Sequence, residues 1–468
     1  MATRGQTPKT RPPGPNPRRV ALRTLREVEQ REGFSNRILS AQLERFPELA
    51  RRDRGLITTL VYGVLRNRAR LDKLIDSFAD KPRKLKGELR MIMRMAAFEI
   101  VALERPLPIA SAEAAKLSKR IDPQGRLKAM IASILSLIDR DWPIMDVAMS
   151  DGDPVDALRF RWSIPQWLAA RWVEQLGAER ALARGRALAQ IPSMDLRLDL
   201  GRSDLQTIRE RLLHDHPGIT FLELPEGAGE QPQCLRVRGG GDIFFGPTHE
   251  AGLISVQSLG SQQAVRALDP QPGERVLDLC AGMGTKTFQI AEHMRRQGTL
   301  VAIDSSAERL AELAGQGRAR AALDSPRVGL TLEVYEADLA SPSPSPSPED
   351  PLGALVPGSF DAVLLDAPCT GLGNLGRHPE LRWTCKPESV SERAGLQTEL
   401  LRRAAIWVRS GGRLVYAVCS LEPEEGPAVV EAFLASPAGS GFAIDHSESW
   451  TPEDHGSDGF FLAKLVRV

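Results

Sequence analysis

The chain has 468 residues, 42% hydrophobic and 26% charged, with 61 Lys+Arg against 60 Asp+Glu. That length allows two or three domains with sizeable cores, and no run of about 18 apolar residues is present to cross a membrane. The beginning, MATRGQTPKTRPPGPNPRR, lacks the apolar region of a secretory signal, so a cytoplasmic protein is expected. Five cysteines without framework spacing fit a reducing compartment, and seven histidines with no CxxC or HExxH give a metal site no support.

The balanced charge hides an asymmetry. Residues 1–140 hold 30 Lys+Arg against 15 Asp+Glu, a net of +15, which leaves −14 for the remainder. Cations that neutralise phosphates release counterions and gain sequence-independent affinity, so the first segment is expected to meet RNA rather than to be merely a solvated surface.

In chain order, residues 1–19 contain five prolines, five basic residues and no acid, the composition of a disordered tail. Residues 20–145 read as an all-α bundle. VALRTLREVEQ, RGLITTLVYGVLRNRARLDKLIDSFA, GELRMIMRMAAFEIVAL and RLKAMIASILSLI place apolar residues three and four apart, with Met91, Met93 and Met95 as core and face residues. Residues 160–250 read as a helical linker and a small α+β platform. A helical stretch starts at Pro165, with Ser163 as its cap and Trp167 and Trp172 in a core; MDLRLDL, RSDLQTIRERLLHD and GITFLEL then give strand, helix and strand. Residues 251–468 alternate apolar runs with amphipathic helices, the pattern of a doubly wound α/β sheet. The runs are RVLDLCA, LVAID, LEVYEAD, FDAVLLDA, GRLVYAV and GFFLAKLVRV. Between the third and fourth, residues 341–353 are a low-complexity SP-rich insert, expected as a surface loop.

Three motifs lie at the expected carboxyl ends of these strands, where open α/β sheets bind ligands. In VLDLCAGMGTKT a strand meets a glycine turn and then a helix, and Gly282 and Gly284 let backbone approach a ligand closely. Asp304 closes the next strand, 20 residues beyond Gly284, where a carboxylate accepts from two ribose hydroxyls; Asp338 closes the one after, within reach of an adenine edge. A GxGxxG fingerprint and a Walker loop are both absent, which points to S-adenosylmethionine as the nucleotide. The second and third motifs, DAPCTGLG and YAVCSLEPEEG, carry Cys369 and Cys419 just past apolar strands, whereas Cys234, Cys280 and Cys385 read as ordinary small apolar side chains. Cytosine C5 is a poor nucleophile until something adds to C6, and a thiolate is the side-chain group suited to that addition. Where an amino-methyltransferase would carry N/D-P-P-Y/F, this chain has Asp366, Pro368 and Cys369.

At these residues the sequence resembles the RNA 5-cytosine methyltransferases of the Sun or Fmu type, above all the bacterial members that act on 16S ribosomal RNA and carry a fused NusB-like domain. DAPCTGLGNLGRHPELRW and YAVCSLEPEEG carry the resemblance most specifically, and it extends over nearly everything after the tail. It implies a NusB-like RNA-binding bundle, a platform and a Rossmann-like catalytic domain. It further implies that Cys280, Ala281, Gly282, Met283, Gly284, Thr285 and Lys286 line the methionine and ribose side of S-adenosylmethionine, with Asp304, Asp338 and Asp366 completing its contacts. Cys419 would be the nucleophile, Cys369 the residue that assists release, and Asp366 the group at the base edge. Lys286 would aid phosphate placement or stand as a solvated residue. The implied partner is RNA, chiefly 16S ribosomal RNA; a monomer is expected.

Three positions depart from the family pattern. Its A-P-G-G-K turn reads Gly282-Met283-Gly284-Thr285-Lys286, the residue before the nucleophile is Val418 rather than threonine, and a Gln-Asp pair reads Gln257-Ser258. The same thiol motifs are compatible with transfer RNA as substrate. An inactive ribosome-assembly factor is disfavoured by the two intact cysteines, and a DNA enzyme by the second of them.

Overall fold

A computed structural model of the chain describes residues 15–31, 33–149, 151–225, 228, 232–241, 243, 246–315, 329–340, 352 and 355–468. The SP-rich insert therefore lies, apart from Leu352, outside the described residues. Two compact units emerge, one formed by the chain up to Gly185 with His378–Glu380, the other by Arg186–Arg377 and Leu381–Val468.

The first unit is helical: α1 Pro17–Arg31, α2 Ser35–Glu44, α3 Arg51–Arg66, α4 Arg68–Phe78, α5 Gly87–Val101, α6 Leu107–Ser118, α7 Leu127–Ala148, α8 Pro154–Phe160 and α9 Gln166–Leu176. Helix α1 starts inside the expected tail, because Asn16 accepts the backbone N–H groups of Arg18 and Arg19 through its side chain and so opens the first turn. The apolar-spaced run from Arg54 divides at Asn67, where the backbone leaves helical geometry at φ −106° and ψ 14° and the side-chain amide joins the backbone N–H in donating to the Gly63 carbonyl. α5 is the central helix, buried from Met91 to Val101 without interruption, and all three methionines lie in the core. Ser163 does not cap α9: it is fully buried at φ 53°, and its hydroxyl accepts from the Arg70 backbone N–H, a bond that ties α4 to the turn before α9. Trp172 is fully buried, as expected. The helical stretch from Pro165 also breaks, at Gly177 with φ 76°, before α10 Ala178–Ala189.

The second unit holds two sheets. β1 Met194–Leu198, β2 Thr220–Leu222, β3 Cys234–Arg238 and β4 Ile254–Val256 form an antiparallel sheet in the order β2-β3-β1-β4. α11 Leu205–Asp215, capped by Asp204 onto the Thr207 N–H, covers a core of Leu196, Leu198, Ile208, Leu212 and Val237. α12 Pro247–Glu250 precedes the fourth strand and α13 Leu259–Leu268 follows it; that strand falls after residue 250, so the platform continues beyond its expected boundary.

The larger sheet has the order β10-β11-β9-β8-β5-β6-β7, from β5 Arg275–Leu279, β6 Gln297–Asp304, β7 Gly329–Glu336, β8 Phe360–Asp366, β9 Val408–Val418, β10 Phe442–Trp450 and β11 Phe460–Arg467. β7, β6, β5, β8 and β9 are parallel, whereas β11 runs antiparallel to both of its neighbours, β9 and β10. The doubly wound fold is as expected, with one strand more. β10 (FAIDHSESW) buries only its two ends, Phe442 and Trp450, because it is an edge strand with water on one side. The chain steps from β5 out to β6 and β7 and then returns to β8 on the other flank of β5, so the crevice of the switch point opens at the ends of β5 and β8.

Candidate active site

The glycine turn grows out of β5. Cys280 at φ 61° and Gly282 at φ 58° lift the chain off the strand, and Gly284 at φ 84° begins helix α14, Thr285–His293. Gly284 is obligatory for a second reason: a Cβ there would lie 2.7 Å from Leu313 of helix α15, Ala307–Gly315. At Gly282 an added Cβ would meet nothing, so this part of the turn faces open space.

Asp304, 4% exposed at the end of β6, organises the turn. Its Oδ2 accepts from the Gly282 N–H at 2.8 Å and its Oδ1 from the Ser306 N–H at 2.9 Å. A carboxylate offers about four acceptor positions, so roughly two remain for a diol. Asp338, exposed beyond β7, accepts from the Ala340 N–H at 2.8 Å. Asp366 ends β8 and pairs with Lys286 at 2.6 Å, so the ammonium, expected at a phosphate or in solvent, is instead tied across the crevice from α14 to β8. Backbone N–H groups at the start of α14, carboxylates at the ends of β6 and β8 and an open glycine turn are the donor and acceptor set that an amino acid, a ribose and an adenine require, so S-adenosylmethionine fits here. Met283 is exposed on the turn, where it takes the place of the family's proline.

Two buried groups behind the turn were not singled out in the sequence. Asp278, inside the apolar run of β5, is fully buried; Thr287 donates to its Oδ2 at 2.6 Å, while its Oδ1 has no hydrogen-bond partner among the described residues. Burial above all, with the charges of Asp366 and Asp304, pushes its carboxyl up to about 7. Arg197 of β1, 2% exposed, donates to the Thr285 carbonyl at 2.7 Å, to Gln257 and to Glu292, so a platform strand holds the first turn of α14. Beside it Ser258 makes no capping bond; Asp195 of β1 accepts instead from the Leu259 N–H at 2.9 Å.

The thiols come together at the next two strand ends. Parallel pairing sets Asp366 opposite Ala417, and the Ala367 N–H donates to the Ala417 carbonyl at 2.9 Å, which brings the loops after β8 and β9 out side by side. Cys369 Sγ and Cys419 Sγ are 3.1 Å apart, both half-buried. The loop after Cys369 returns onto the other thiol, with the Gly373 N–H donating to the Cys419 carbonyl at 3.1 Å and the Gly373 carbonyl accepting from the Gly459 N–H at 2.9 Å. The Cys419 sulfur beside it, then burial, then the Glu425 charge hold the Cys369 thiol well above its ordinary range. Val418, where the family has threonine, is a fully buried ladder residue paired with Phe461. Burial likewise pushes the Cys280 thiol up and Cys234 to about 12, which disfavours the thiolate at both; Cys234 is buried and Cys280 half-buried on the turn. Among the described residues no cluster of His, Cys, Asp and Glu could hold a metal ion, and no helix is long and apolar enough to cross a membrane.

Comparison with known proteins agrees with this arrangement. Residues 265–466 match the family model for 16S rRNA methyltransferase RsmB/F, and residues 15–140 match the NusB family. Over 467 residues the chain is 30% identical to a probable ribosomal RNA small subunit methyltransferase B of Bacillus subtilis, covering 96% of this chain and 98% of that protein. Its likeness to the protein of the same description from Synechocystis sp. is 31% over 470 residues, 96% of this chain and 99% of the other. Among solved structures, the crystal structure of PH0851 superposes with a TM-score of 0.75 over 98% of this chain and all of the other at 23% identity, a likeness of fold. With a NusB bundle, a Rossmann-like sheet and a cofactor turn at its switch point, the chain belongs to the RsmB/F family of 16S rRNA methyltransferases, enzymes dependent on S-adenosylmethionine.

Proposed function

We propose that the protein methylates C5 of a cytosine in 16S ribosomal RNA through a covalent bond between Cys419 and C6. The observation that carries this reading is the 3.1 Å approach of two thiols beside a cofactor crevice. A structural pair buried for packing would not need to sit at the carboxyl ends of two adjacent parallel strands, where substrates meet this class of sheet.

The target base has to leave its helix or be captured in an open loop, a cost of a few kcal/mol that is smallest for unpaired bases. The Cys419 thiolate adds to C6; its electron pair forms the S–C6 bond, and the C5–C6 π pair shifts toward C5 as N3 takes up a proton. Asp366 at the base edge favours that protonation, with Lys286 fixing its carboxylate at 2.6 Å. S-adenosylmethionine supplies an electrophilic methyl group on a sulfonium. Asp304, Asp338 and the turn from Cys280 to Lys286 would hold the cofactor. Release then requires loss of the C5 proton, cleavage of the S–C6 bond and return of the N3 proton to Asp366 at the base edge. Cys369 is suited to this, because a thiol kept protonated can hand its proton to the departing Cys419 sulfur, and the thiolate so formed can take up the C5 proton.

Bisulfite sequencing of total RNA, from cells with the gene, without it and with Cys419→Ala alone, tests the reading. The expected result is a cytosine in 16S ribosomal RNA that stays methylated only with the intact gene. Loss of a transfer RNA signal would move the substrate to that class; no change in any RNA would overturn cytosine methylation.

A further inference from the structure

Glu425 lies in the turn before the helix Pro427–Leu434 and is fully buried. Burying a carboxylate is costly unless its acceptor positions are filled, and here all four are. Oε1 accepts from the Thr370 N–H at 2.8 Å and from Gln397 Nε2 at 3.0 Å, while Oε2 accepts from the hydroxyls of Thr370 and Ser420, each at 2.5 Å. Thr370 directly follows Cys369, and Ser420 directly follows Cys419. Gln397, from the helix Pro387–Ala404, also donates to the Pro368 carbonyl at 3.0 Å, so the residues on both sides of Cys369 are tied to one node. The node is itself anchored beneath the sheet, since the fully buried Tyr416 of β9 donates its hydroxyl to the Glu425 carbonyl at 2.5 Å.

We propose that Glu425 is a positioning residue for methyl transfer: by accepting from the residue after each cysteine, it holds the two thiol loops at one fixed separation. This rests on the two-thiol reading above. Attack and release make opposite demands on the pair, because Cys419 has to reach C6 while Cys369 stays close enough to exchange a proton with it. Strand pairing ends at Ala367 and Ala417, short of both sulfurs, and past it one backbone bond, from the Gly373 N–H to the Cys419 carbonyl at 3.1 Å, joins the loops from the Cys419 side. Beyond that point the Glu425 carboxylate is the acceptor common to the two loops.

The test uses the full-length protein with Glu425→Ala, Glu425→Gln and the double variant Thr370→Val/Ser420→Ala, which cuts the same ties from the other end. Three quantities are measured: the rate at which dibromobimane bridges the two thiols, kcat and KM for methyl transfer to 16S ribosomal RNA, and the affinity for S-adenosylmethionine. For Glu425→Ala, kcat should fall about 100-fold, the cost of roughly an ångström of misplacement, with KM and cofactor affinity within about threefold of the parent. Bridging should slow about tenfold, and Glu425→Gln, which keeps the volume and one carbonyl acceptor, should lose about tenfold in kcat. If Glu425→Ala fails to bind cofactor, the double variant carries the decision with the same expected losses. Wild-type bridging in the folded variants overturns the proposal, whether or not kcat falls. Slow bridging with unchanged kcat would support the clamp and overturn instead the two-thiol chemistry on which it bears.

Discussion

Gly373→Ala is the smallest change that should separate the two thiols. A Cβ on Gly373 would sit 2.1 Å from the Gly459 carbonyl oxygen, 2.7 Å from its carbon and 2.9 Å from the Cys419 carbonyl oxygen. All three are backbone atoms, so no rotamer relieves the clash. Restoring van der Waals contact requires the loop after Cys369 to retreat by about 1 Å, enough to cost on the order of 100-fold in rate. The retreat also strains the bonds from the Gly373 N–H to Cys419 at 3.1 Å and from the Gly459 N–H to Gly373 at 2.9 Å. Together with overpacking this should lower stability by about 1–3 kcal/mol. Urea unfolding and single-turnover methyl transfer report the two effects on one preparation. Gly273→Ala is the matched control: it lies at the other end of β5, its Cβ meets nothing, and the cost should be confined to the left-handed backbone at φ 87°, about 1–2 kcal/mol. A Gly373→Ala protein with the parent's unfolding midpoint and turnover would refute the claim that this backbone approach sets the site.

Cys369→Ser should accumulate a protein–RNA adduct that survives denaturing electrophoresis and vanishes when Cys419→Ala is added; an adduct from Cys419→Ala alone would reverse the two roles. Arg197→Met leaves Glu292 buried without its partner and should destabilise by about 3 kcal/mol, much of it recovered by adding Glu292→Gln in a double-mutant cycle read by urea unfolding. Asp278, raised mainly by burial to about 7, binds a proton in the native state that an unfolded carboxyl near 4 does not. Its contribution is therefore full below about pH 4 and lost as pH rises through 7, so the melting temperature of the parent relative to Asp278→Asn should fall between pH 5 and pH 8; a constant gap would show that Asp278 titrates normally.

Strand ends were legible because burial on both faces makes a parallel strand read as an apolar run, and the chemistry then stands at the first polar residue after it. Asp304, Asp366 and Cys419 follow that rule, and Cys369 stands three residues beyond Asp366. The same rule hid Asp278, which sits within the apolar letters of VLDL and is buried with them. Strand β10 was invisible because an edge strand with most of its length exposed carries no apolar period. The breaks at Asn67 and Gly177 were missed for the opposite reason: apolar spacing continues across them, and a non-helical backbone at Asn67 and a positive φ at Gly177 stop the helix. Arg197 and Thr285 are 88 positions apart, and no local pattern pairs a platform arginine with a carbonyl in a cofactor turn.

The motif YAVCSLEPEEG offers three glutamates, and linear spacing does not say which one turns inward. Glu422 is 2% exposed and Glu425 fully buried, and it is Glu425 that accepts from both cysteine loops. In the sequence the hydroxyl after each thiol, Cys-Thr in one motif and Cys-Ser in the other, reads as an unremarked polar residue at a loop. In the fold those two hydroxyls converge on one acceptor. The choice of residue types then follows from the acceptor: a buried carboxylate between two loops needs a donor from each, and a hydroxyl rotates to supply one without bringing a second charge beside the thiols. Gly373 meets the same requirement from the backbone side, since only a residue without a Cβ lets the first loop lie against the carbonyl of Cys419. Thr370, Ser420, Glu425 and Gly373 thus belong to one device, and substitutions among them should fail to add: once Gly373→Ala has parted the loops, loss of Glu425 should cost little more in rate.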